Sequence, residues 1–269
     1  MIAAPLRQDC IAFGVRFELV ADSGDLLARM MRCAPHSTEA CAGSADDVRQ
    51  FALLANGSGT GYRLLTADEI AAEGAELQPV LDRFARDLMV HVADHAPDRV
   101  FVHAGVVGWQ GQALVLPGTS YAGKTTLVSE LVRAGATYYS DEYAVLDEEG
   151  RVHPYPRELQ MRQPGGTEQS PVPVEHLSGT AGTVPLHVSH VVFSQYVEGG
   201  VWNPVPVSPG MAALEMLRHA IPVRRTPARV MATLAALMET AVALHSERGE
   251  AAETASALLI AMADGRPGA

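Results

Sequence analysis

Lysine is almost absent from this chain of 269 residues. Lys124 is the only lysine among the 20 basic residues, and the others are arginine. The 31 acidic residues give a formal net charge of -11, and Arg224-Arg225 is the only adjacent basic pair. A protein that neutralises nucleic-acid phosphates needs a basic face. The composition therefore argues against free nucleic acid as a partner.

Cysteines and long apolar runs are also scarce. The three cysteines, Cys10, Cys33 and Cys41, form no C-x-x-C pair, and no histidine lies at a zinc-finger spacing from them. We therefore expect reduced thiols and not a disulfide frame or a zinc site. The first residues, MIAAPLRQDC, hold no apolar signal-peptide core. No uncharged apolar run reaches the roughly 18 residues of a membrane span. These absences predict a cytoplasmic protein with no membrane partner.

Apolar patterns predict an α/β chain in two parts, and the hydrophobic content of 48% is enough to form the cores. Residues 9–20 alternate in polarity and predict a strand. Residues 76–95 place apolar side chains on one helical face and predict an amphipathic helix. Together these features predict a small α+β region over residues 1–97.

Residues 98–269 predict a mixed sheet with flanking helices. Strands are expected at 100–107 and 112–117, joined by a two-residue turn centred on Trp109-Gln110 that would pair His103 with Leu116. The proline- and glycine-rich stretch 163–186 predicts a loop. Other elements predicted here are a strand at 136–140, a hairpin at 143–155, a strand at 189–197, and helices at 209–220, 227–246 and 250–263.

A glycine-rich segment, GTSYAGKT at residues 118–125, matches the pattern G-x-x-x-x-G-K-[ST]. It follows an apolar strand and precedes a helical pattern, which is the context in which this pattern binds nucleotide phosphates. The glycines let backbone N–H groups converge on an anion, and the helix N-terminus adds partial positive charge. The alternative is a chance glycine-rich turn, but a compact ammonium fits a phosphate cradle better than a guanidinium fork.

The segment assigns roles to its residues. Lys124 would contact the β- and γ-phosphates, and the Thr125 hydroxyl would bind Mg²⁺. The predicted nucleotide-binding residues are Gly118, Thr119, Ser120, Tyr121, Ala122, Gly123, Lys124, Thr125 and Thr126.

An acidic pair, Asp141-Glu142, is predicted to return to this loop. A helix over 124–134 rises roughly 16 Å at about 1.5 Å per residue. A strand over 136–140 descends about 16 Å at about 3.3 Å per residue. The acids would then lie level with the loop, where one could hold the metal and the other could take a proton from an attacking hydroxyl. An exposed acidic turn is the alternative.

His103 is the last candidate, since its predicted pairing places it near the mouth of the loop. A packed or surface histidine is the other interpretation of a lone histidine in a strand. The candidate catalytic residues are thus Asp141, His103 and Lys124, and the candidate metal ligands are Thr125, Asp141 and Glu142.

Together, His103, the G-x-x-x-x-G-K-T segment and the early acidic pair resemble the HPr kinase/phosphorylase family, which shares its nucleotide-binding core with phosphoenolpyruvate carboxykinase. The resemblance covers about residues 100–162 and implies a P-loop kinase core that uses ATP and Mg²⁺. It implies Asp141 as the base that activates the acceptor hydroxyl, and it implies a homo-oligomer. Two departures are the glutamate at 142, where the family has aspartate, and the segment PYPRELQMRQPGG (154–166), which lacks the family's phosphorolysis signature.

Three functions remain open at this point. The first is a kinase that transfers the γ-phosphoryl group of ATP to a serine or threonine hydroxyl of a peptide or protein. Related proteins occur in peptide-modification clusters, including those of lasso peptides, so a ribosomal peptide is the expected acceptor. The second is a nucleotide-binding regulatory module without transfer activity. The third is a carboxykinase-like or small-molecule kinase. Candidates for an assisting cation are Arg157, Arg162, Arg224 and Arg225, for which surface or carboxylate-paired positions are the alternative.

Overall fold

The computed structural model describes residues 4–42, 48–56, 61–118, 123–162 and 169–263. In this part of the chain, six α-helices and sixteen strands form an α/β fold with mixed sheets. None of the helices described is long and apolar enough to cross a membrane. The chain separates into two compact units, Met1–Asp98 and Arg99–Ala269. That these units are separate domains, divided after residue 97, stays a prediction.

The first unit is a six-stranded sheet with two helices. The sheet has the order β3-β1-β2-β4-β5-β6, in which only β2 and β4 pair in parallel. The elements are β1 (Leu6–Ala12), β2 (Val15–Ala21), α1 (Gly24–Cys33), β3 (Glu39–Ala40), β4 (Arg49–Ala55), β5 (Tyr62–Thr66), β6 (Glu69–Gly74) and α2 (Leu77–His95).

The prediction of one strand over residues 9–20 is wrong, whereas the helix predicted at 76–95 is confirmed as α2. The strand segment is a hairpin, because Phe13 and Gly14 adopt left-handed conformations with φ of 48° and 77°. Two successive residues of positive φ form the tight turn whose twist suits a hairpin. Phenylalanine is not a usual residue at such a turn, so the residues around Phe13 do not indicate a hairpin.

The second unit is built on a seven-strand path, β11-β10-β7-β8-β14-β16-β15, with β9 also paired to β7. Strands β12 and β13 form a separate two-stranded sheet. The elements are β7 (Val100–Trp109), β8 (Gln112–Pro117), α3 (Lys124–Arg133), β9 (Thr137–Ser140), β10 (Tyr143–Leu146), β11 (Val152–His153), β12 (Leu159–Arg162), β13 (Gln169–Val172), β14 (Val188–Tyr196), β15 (Val205–Val207), α4 (Pro209–Leu217), α5 (Pro227–Met238), β16 (Val242–Arg248) and α6 (Ala251–Ala263).

Helices cover both faces of this sheet. On one face, Val102 and Val106 of β7 share a buried cluster with residues of α4 and α5, such as Met216 and Leu234. On the other face, Val107 shares a cluster with residues of α3 and α6. Side chains alternate between the faces of a strand. Residues 103 and 105 therefore lie on the α3 face of the sheet.

Two C-terminal predictions need correction. The helix predicted at 227–246 ends at Met238, and β16 follows from Val242 in parallel pairing with β14. A short apolar run fits a helix or a buried strand equally well, and here the long-range pairing decides. The loop predicted at 163–186 contains β13 and a 3-10 helix at Val174–Leu177, while residues 163–168 lie outside the described part.

The predicted register of β7 and β8 is also wrong: Leu116 was expected opposite His103, and it pairs two residues further along β7. The turn is centred on Gln110 and Gly111, whose φ angles are 50° and 78°, and Gly105 pairs with Leu116. Positive φ at both central residues is the geometry that two-residue hairpins prefer. His103 consequently lies beyond the end of β8, where its carbonyl accepts a hydrogen bond from the Gly118 N–H at 3.3 Å.

Gly105 tests the packing of α3 on the sheet. A β-carbon added at Gly105 would lie 2.6 Å from Cγ2 of Val128 in α3, which is too close for either group to remain in place. We expect Gly105→Ala to lower the free energy of unfolding by about 1–3 kcal/mol through overpacking. Denaturant unfolding monitored by circular dichroism measures this change.

Gly210→Ala is the matched control, because a β-carbon there meets no described atom within 4 Å. Gly210 lies in α4, where alanine is favoured over glycine by roughly 0.5–1 kcal/mol. The control should therefore be neutral or stabilising. Equal stability of the Gly105→Ala variant and the unaltered protein would contradict close packing of α3 against β7.

Candidate functional site

The glycine-rich segment emerges at one edge of the sheet of the second unit. Strands β8, β14 and β16 are parallel, so their C-terminal ends meet at this edge. Gly118 follows β8 directly, and α3 begins at Lys124. In α/β sheets, ligands bind outside the C-terminal ends of the strands. The fold thus places the segment where a ligand site is expected.

Gly123 caps the N-terminus of α3 in a left-handed conformation, with φ 76° and ψ 18°. Its carbonyl accepts the first hydrogen bond of the helix, from the N–H of Leu127 at 3.1 Å. The N–H groups in the first turn of an α-helix make no hydrogen bond within the helix, which leaves partial positive charge at this end. Of the other predicted nucleotide-binding residues, Thr125 and Thr126 lie in this first turn. Thr119, Ser120, Tyr121 and Ala122 lie outside the described residues.

The Lys124 ammonium bonds to the residue that follows β8. Its Nζ donates a hydrogen bond to the Gly118 carbonyl at 2.7 Å, which ties the start of the segment to its end. Burial lowers the pKa of Lys124 to about 8, although the charges of Asp141 and Glu142 oppose the shift. At neutral pH the group therefore remains mostly charged, in a poorly solvated place where charge acts strongly.

The acidic pair lies level with Gly118. Strands β9 and β10 pair in succession with β7, and Asp141-Glu142 form the bend between them. Ala104 of β7 pairs with Pro117 of β8, and its N–H donates to the Glu142 carbonyl at 3.1 Å. The end of β8 and the acids therefore flank the same residue of β7. The chain returns to the loop as the helix and strand lengths predict.

Asp141 joins the acidic bend to α3. The Thr125 hydroxyl donates to Oδ2 of Asp141 at 3.2 Å, and the Tyr138 hydroxyl lies 3.0 Å from Oδ1. Asp141 is only 9% exposed, which contradicts the alternative of an exposed acidic turn. Burial raises the pKa of Asp141, although the hydrogen bonds from Tyr138 and Thr125 oppose the shift. A carboxylate with a raised pKa is a stronger base once it is ionised.

Glu142 has a different partner. Nη1 of Arg157 donates to Oε2 of Glu142 at 2.7 Å, and both side chains are about a third exposed, at 35% and 38%. Burial raises the pKa of Glu142, while the charge of Arg157 opposes the shift. Glu142 would have to give up this ion pair, or share it, to bind a metal. Its role as a metal ligand stays a prediction.

His103 lies beside Lys124, together with a histidine that the sequence did not indicate. His219 accepts a hydrogen bond from the His103 N–H at 2.8 Å through its carbonyl. Burial lowers the pKa of His103 to about 4, and the charges of Lys124 and His219 add to the shift. His103 is therefore neutral at pH 7. No local motif surrounds His219, so only the fold reveals its position.

Of the candidate arginines, one contacts the acidic pair and two are exposed. Arg157 belongs to the site through Glu142, in agreement with the carboxylate-paired alternative. Arg224 and Arg225 are exposed, and the side chain of Arg162 lies outside the described part. Arg248, which the sequence did not indicate, reaches the Gly123 carbonyl from the end of β16.

The oxygen atoms at this site suit Mg²⁺. Among the described residues, no three His, Cys, Asp or Glu side chains are grouped closely enough to hold a metal by themselves. Mg²⁺ usually takes one or two protein oxygens and completes its shell with water and substrate phosphates. The adjacent oxygens of Thr125 and Asp141 fit that pattern.

No protein-family model matches the chain, and neither does any curated protein. The likeness to the HPr kinase/phosphorylase family therefore stays a prediction from the quoted residues.

Because Lys124 is the only lysine, acylation of its side chain can test its environment. A deprotonated amine reacts, so a pKa of about 8 makes Lys124 half reactive near pH 8. An ordinary lysine is half deprotonated at about pH 10.4. Acylation rates at a series of pH values, with peptide mapping by mass spectrometry, report the pKa of the ε-amine.

The same chain unfolded in guanidinium chloride is the control, and its Lys124 should show the ordinary value of about 10.4. A folded protein in which Lys124 titrates at the same pH as in the unfolded chain would contradict the burial of this ammonium.

Proposed function

We propose that residues 99–269 form a P-loop kinase core of the HPr kinase/phosphoenolpyruvate carboxykinase type. In this proposal, the core binds ATP with Mg²⁺ and transfers the γ-phosphoryl group to a hydroxyl. The single observation that carries the proposal is the 3.2 Å contact of Thr125 with Asp141 beside the only lysine. A hydroxyl and a buried carboxylate are thus in contact next to the residue that carries the ammonium. These are the components that phosphoryl transfer requires.

The phosphate-binding part would be the N-terminus of α3. Lys124 would exchange its bond to the Gly118 carbonyl for a bond to a phosphate oxygen. This exchange costs little, because a charged phosphate is a stronger acceptor than a backbone carbonyl. Thr125 and Asp141, with Glu142 if it leaves Arg157, would hold Mg²⁺. When bound, Mg²⁺ neutralises part of the negative charge on the transferred group.

The transfer step would run through Asp141. The acceptor oxygen forms a bond to the γ-phosphorus while the bond from that phosphorus to the leaving β-γ bridging oxygen breaks. The proton of the acceptor hydroxyl goes to the Asp141 carboxylate, and ADP leaves. Neutral His103, whose pKa is about 4, could contact the phosphates or the acceptor without adding charge.

The proposed acceptor is a serine or threonine hydroxyl of a peptide or protein. A ribosomally made peptide from a modification cluster, such as a lasso peptide, is the specific expectation, and it rests on the family resemblance. The proposal also places the protein in the cytoplasm, where ATP is available. A homo-oligomer remains part of the proposal.

One observation favours a second function, a nucleotide-binding regulatory module without transfer. Glu142 stands where the related kinases have aspartate, and Arg157 already occupies its carboxylate at 2.7 Å. If this ion pair persists when nucleotide binds, the second acid contributes nothing to the metal. The protein would then bind ATP without transferring its phosphoryl group.

A transfer assay separates the two functions. The protein is incubated with γ-labelled ATP, Mg²⁺ and the peptides encoded beside its gene, and labelled peptide is identified by mass spectrometry. We expect label on a hydroxyl and a loss of at least about 100-fold in rate with Asp141→Asn, since a positioned base contributes about 10²–10⁴. Calorimetric ATP binding without transfer would support the regulatory module.

Asp147→Asn is the matched control. Asp147 is another buried aspartate, 4% exposed, but it pairs with Arg151 and His153 in the hairpin of β10 and β11. Its replacement should leave the transfer rate within about twofold of the original, because it removes no group near Lys124. If both substitutions reduce transfer equally, the loss comes from general destabilisation, and Asp141 is not the base.

A further inference from the structure

Arg248 is a buried arginine at the edge of the sheet where α3 begins. It is the last residue of β16 and only 2% exposed. It pairs with Tyr196 of β14, and its guanidinium lies 5.6 Å from the centre of the Tyr196 ring. An arginine in this geometry is held by a cation–π contact. The strand and the ring together fix the direction of the side chain.

The guanidinium contacts the glycine-rich segment, although Arg248 and Gly123 are 125 residues apart in the sequence. Nη2 donates to the Gly123 carbonyl at 2.9 Å, and Nη1 donates to the Gly249 carbonyl at 3.1 Å. A β-carbon at residue 123 would lie 2.4 Å from Nη2. The left-handed backbone favours glycine at residue 123, and a larger residue would also displace the end of the Arg248 side chain.

The charge of Arg248 is poorly compensated. Among the described residues, no carboxylate lies within ion-pair distance of it, and its Nε has no hydrogen-bond partner. Burial lowers the pKa of Arg248, although Glu250 and Tyr196 oppose the shift. The guanidinium also lies at the positive end of α3, where it bonds to the Gly123 carbonyl. Burying a cation there is costly unless an anion accompanies it.

We infer that Arg248 is a positioning residue for a phosphate-bearing ligand. It holds Gly123 in the conformation that directs the first N–H groups of α3 at the anion, and it adds a buried positive charge at the Gly123 carbonyl. The ligand class is a polyphosphate, either free pyrophosphate or the phosphate chain of a nucleotide. This inference rests on the proposed function, since it concerns the same site.

Replacement of Arg248 by methionine separates positioning from a structural role. Replacing a buried charge by an apolar side chain is often neutral or stabilising. We therefore expect Arg248→Met to keep or raise the thermal unfolding midpoint while it weakens binding of Mg²⁺-ATP and of pyrophosphate at least about tenfold. Calorimetry measures the affinities, and differential scanning calorimetry measures the midpoint. A purely structural arginine would lower the midpoint and leave the affinities of the folded protein unchanged.

Arg248→Lys is the second variant and decides the matter if Arg248→Met does not fold. A lysine keeps the charge but cannot donate to the Gly123 and Gly249 carbonyls together as the guanidinium fork does. Its affinities should fall between those of the unaltered protein and the tenfold loss, by roughly threefold or more. Unchanged affinities in this variant would overturn the inference.

Arg151→Met is the matched control, because Arg151 pairs with Asp147 and Glu149 in a hairpin and not with the segment. It should leave both affinities unchanged. The two proposals fail in different ways. If the unaltered protein binds neither Mg²⁺-ATP nor pyrophosphate, the proposed function fails. If it binds them and Arg248→Met binds them equally well, only the role of Arg248 fails.

Discussion

The hydrogen bond between the Thr125 hydroxyl and the Asp141 carboxylate is the contact on which the candidate site depends. It joins the first turn of α3 to the bend after β9. The chain leaves the edge of the sheet through α3 and returns to the same edge through β9. The helix and the strand must have matched lengths for this contact to form. Pairing of β9 and β10 with β7 then fixes the height of the bend, so the position of Asp141 follows from backbone geometry.

Burial shifts the pKa values of three ionisable side chains at the site. Burial lowers the pKa of Lys124 to about 8 and that of His103 to about 4, and it raises the pKa of Asp141. Each shift moves its group toward the neutral form, because the loss of solvation outweighs the attraction of the opposite charges nearby. A phosphate chain with a divalent metal would supply charges of both signs. The pattern is therefore typical of a site that is completed by a charged ligand.

The sequence predicted what depends on local spacing. Helix α2 showed its apolar period, and the return of Asp141 followed from element lengths alone. The hairpin at Phe13 remained hidden, because its left-handed turn has no asparagine or second glycine to reveal it. Arg248 remained hidden for another reason. Its strand is defined by parallel pairing with β14, and apolar residues such as Leu244 fit a helix equally well.

A crystal structure with Mg²⁺ and a non-hydrolysable ATP analogue is the most direct test of phosphate binding at α3. We expect Lys124 Nζ to leave the Gly118 carbonyl, from which it now lies 2.7 Å, and to bond to an oxygen of the β- or γ-phosphate. We also expect Thr125 and Asp141 to hold the Mg²⁺ ion. A nucleotide bound elsewhere, with Lys124 still bonded to Gly118, would contradict phosphate binding at α3.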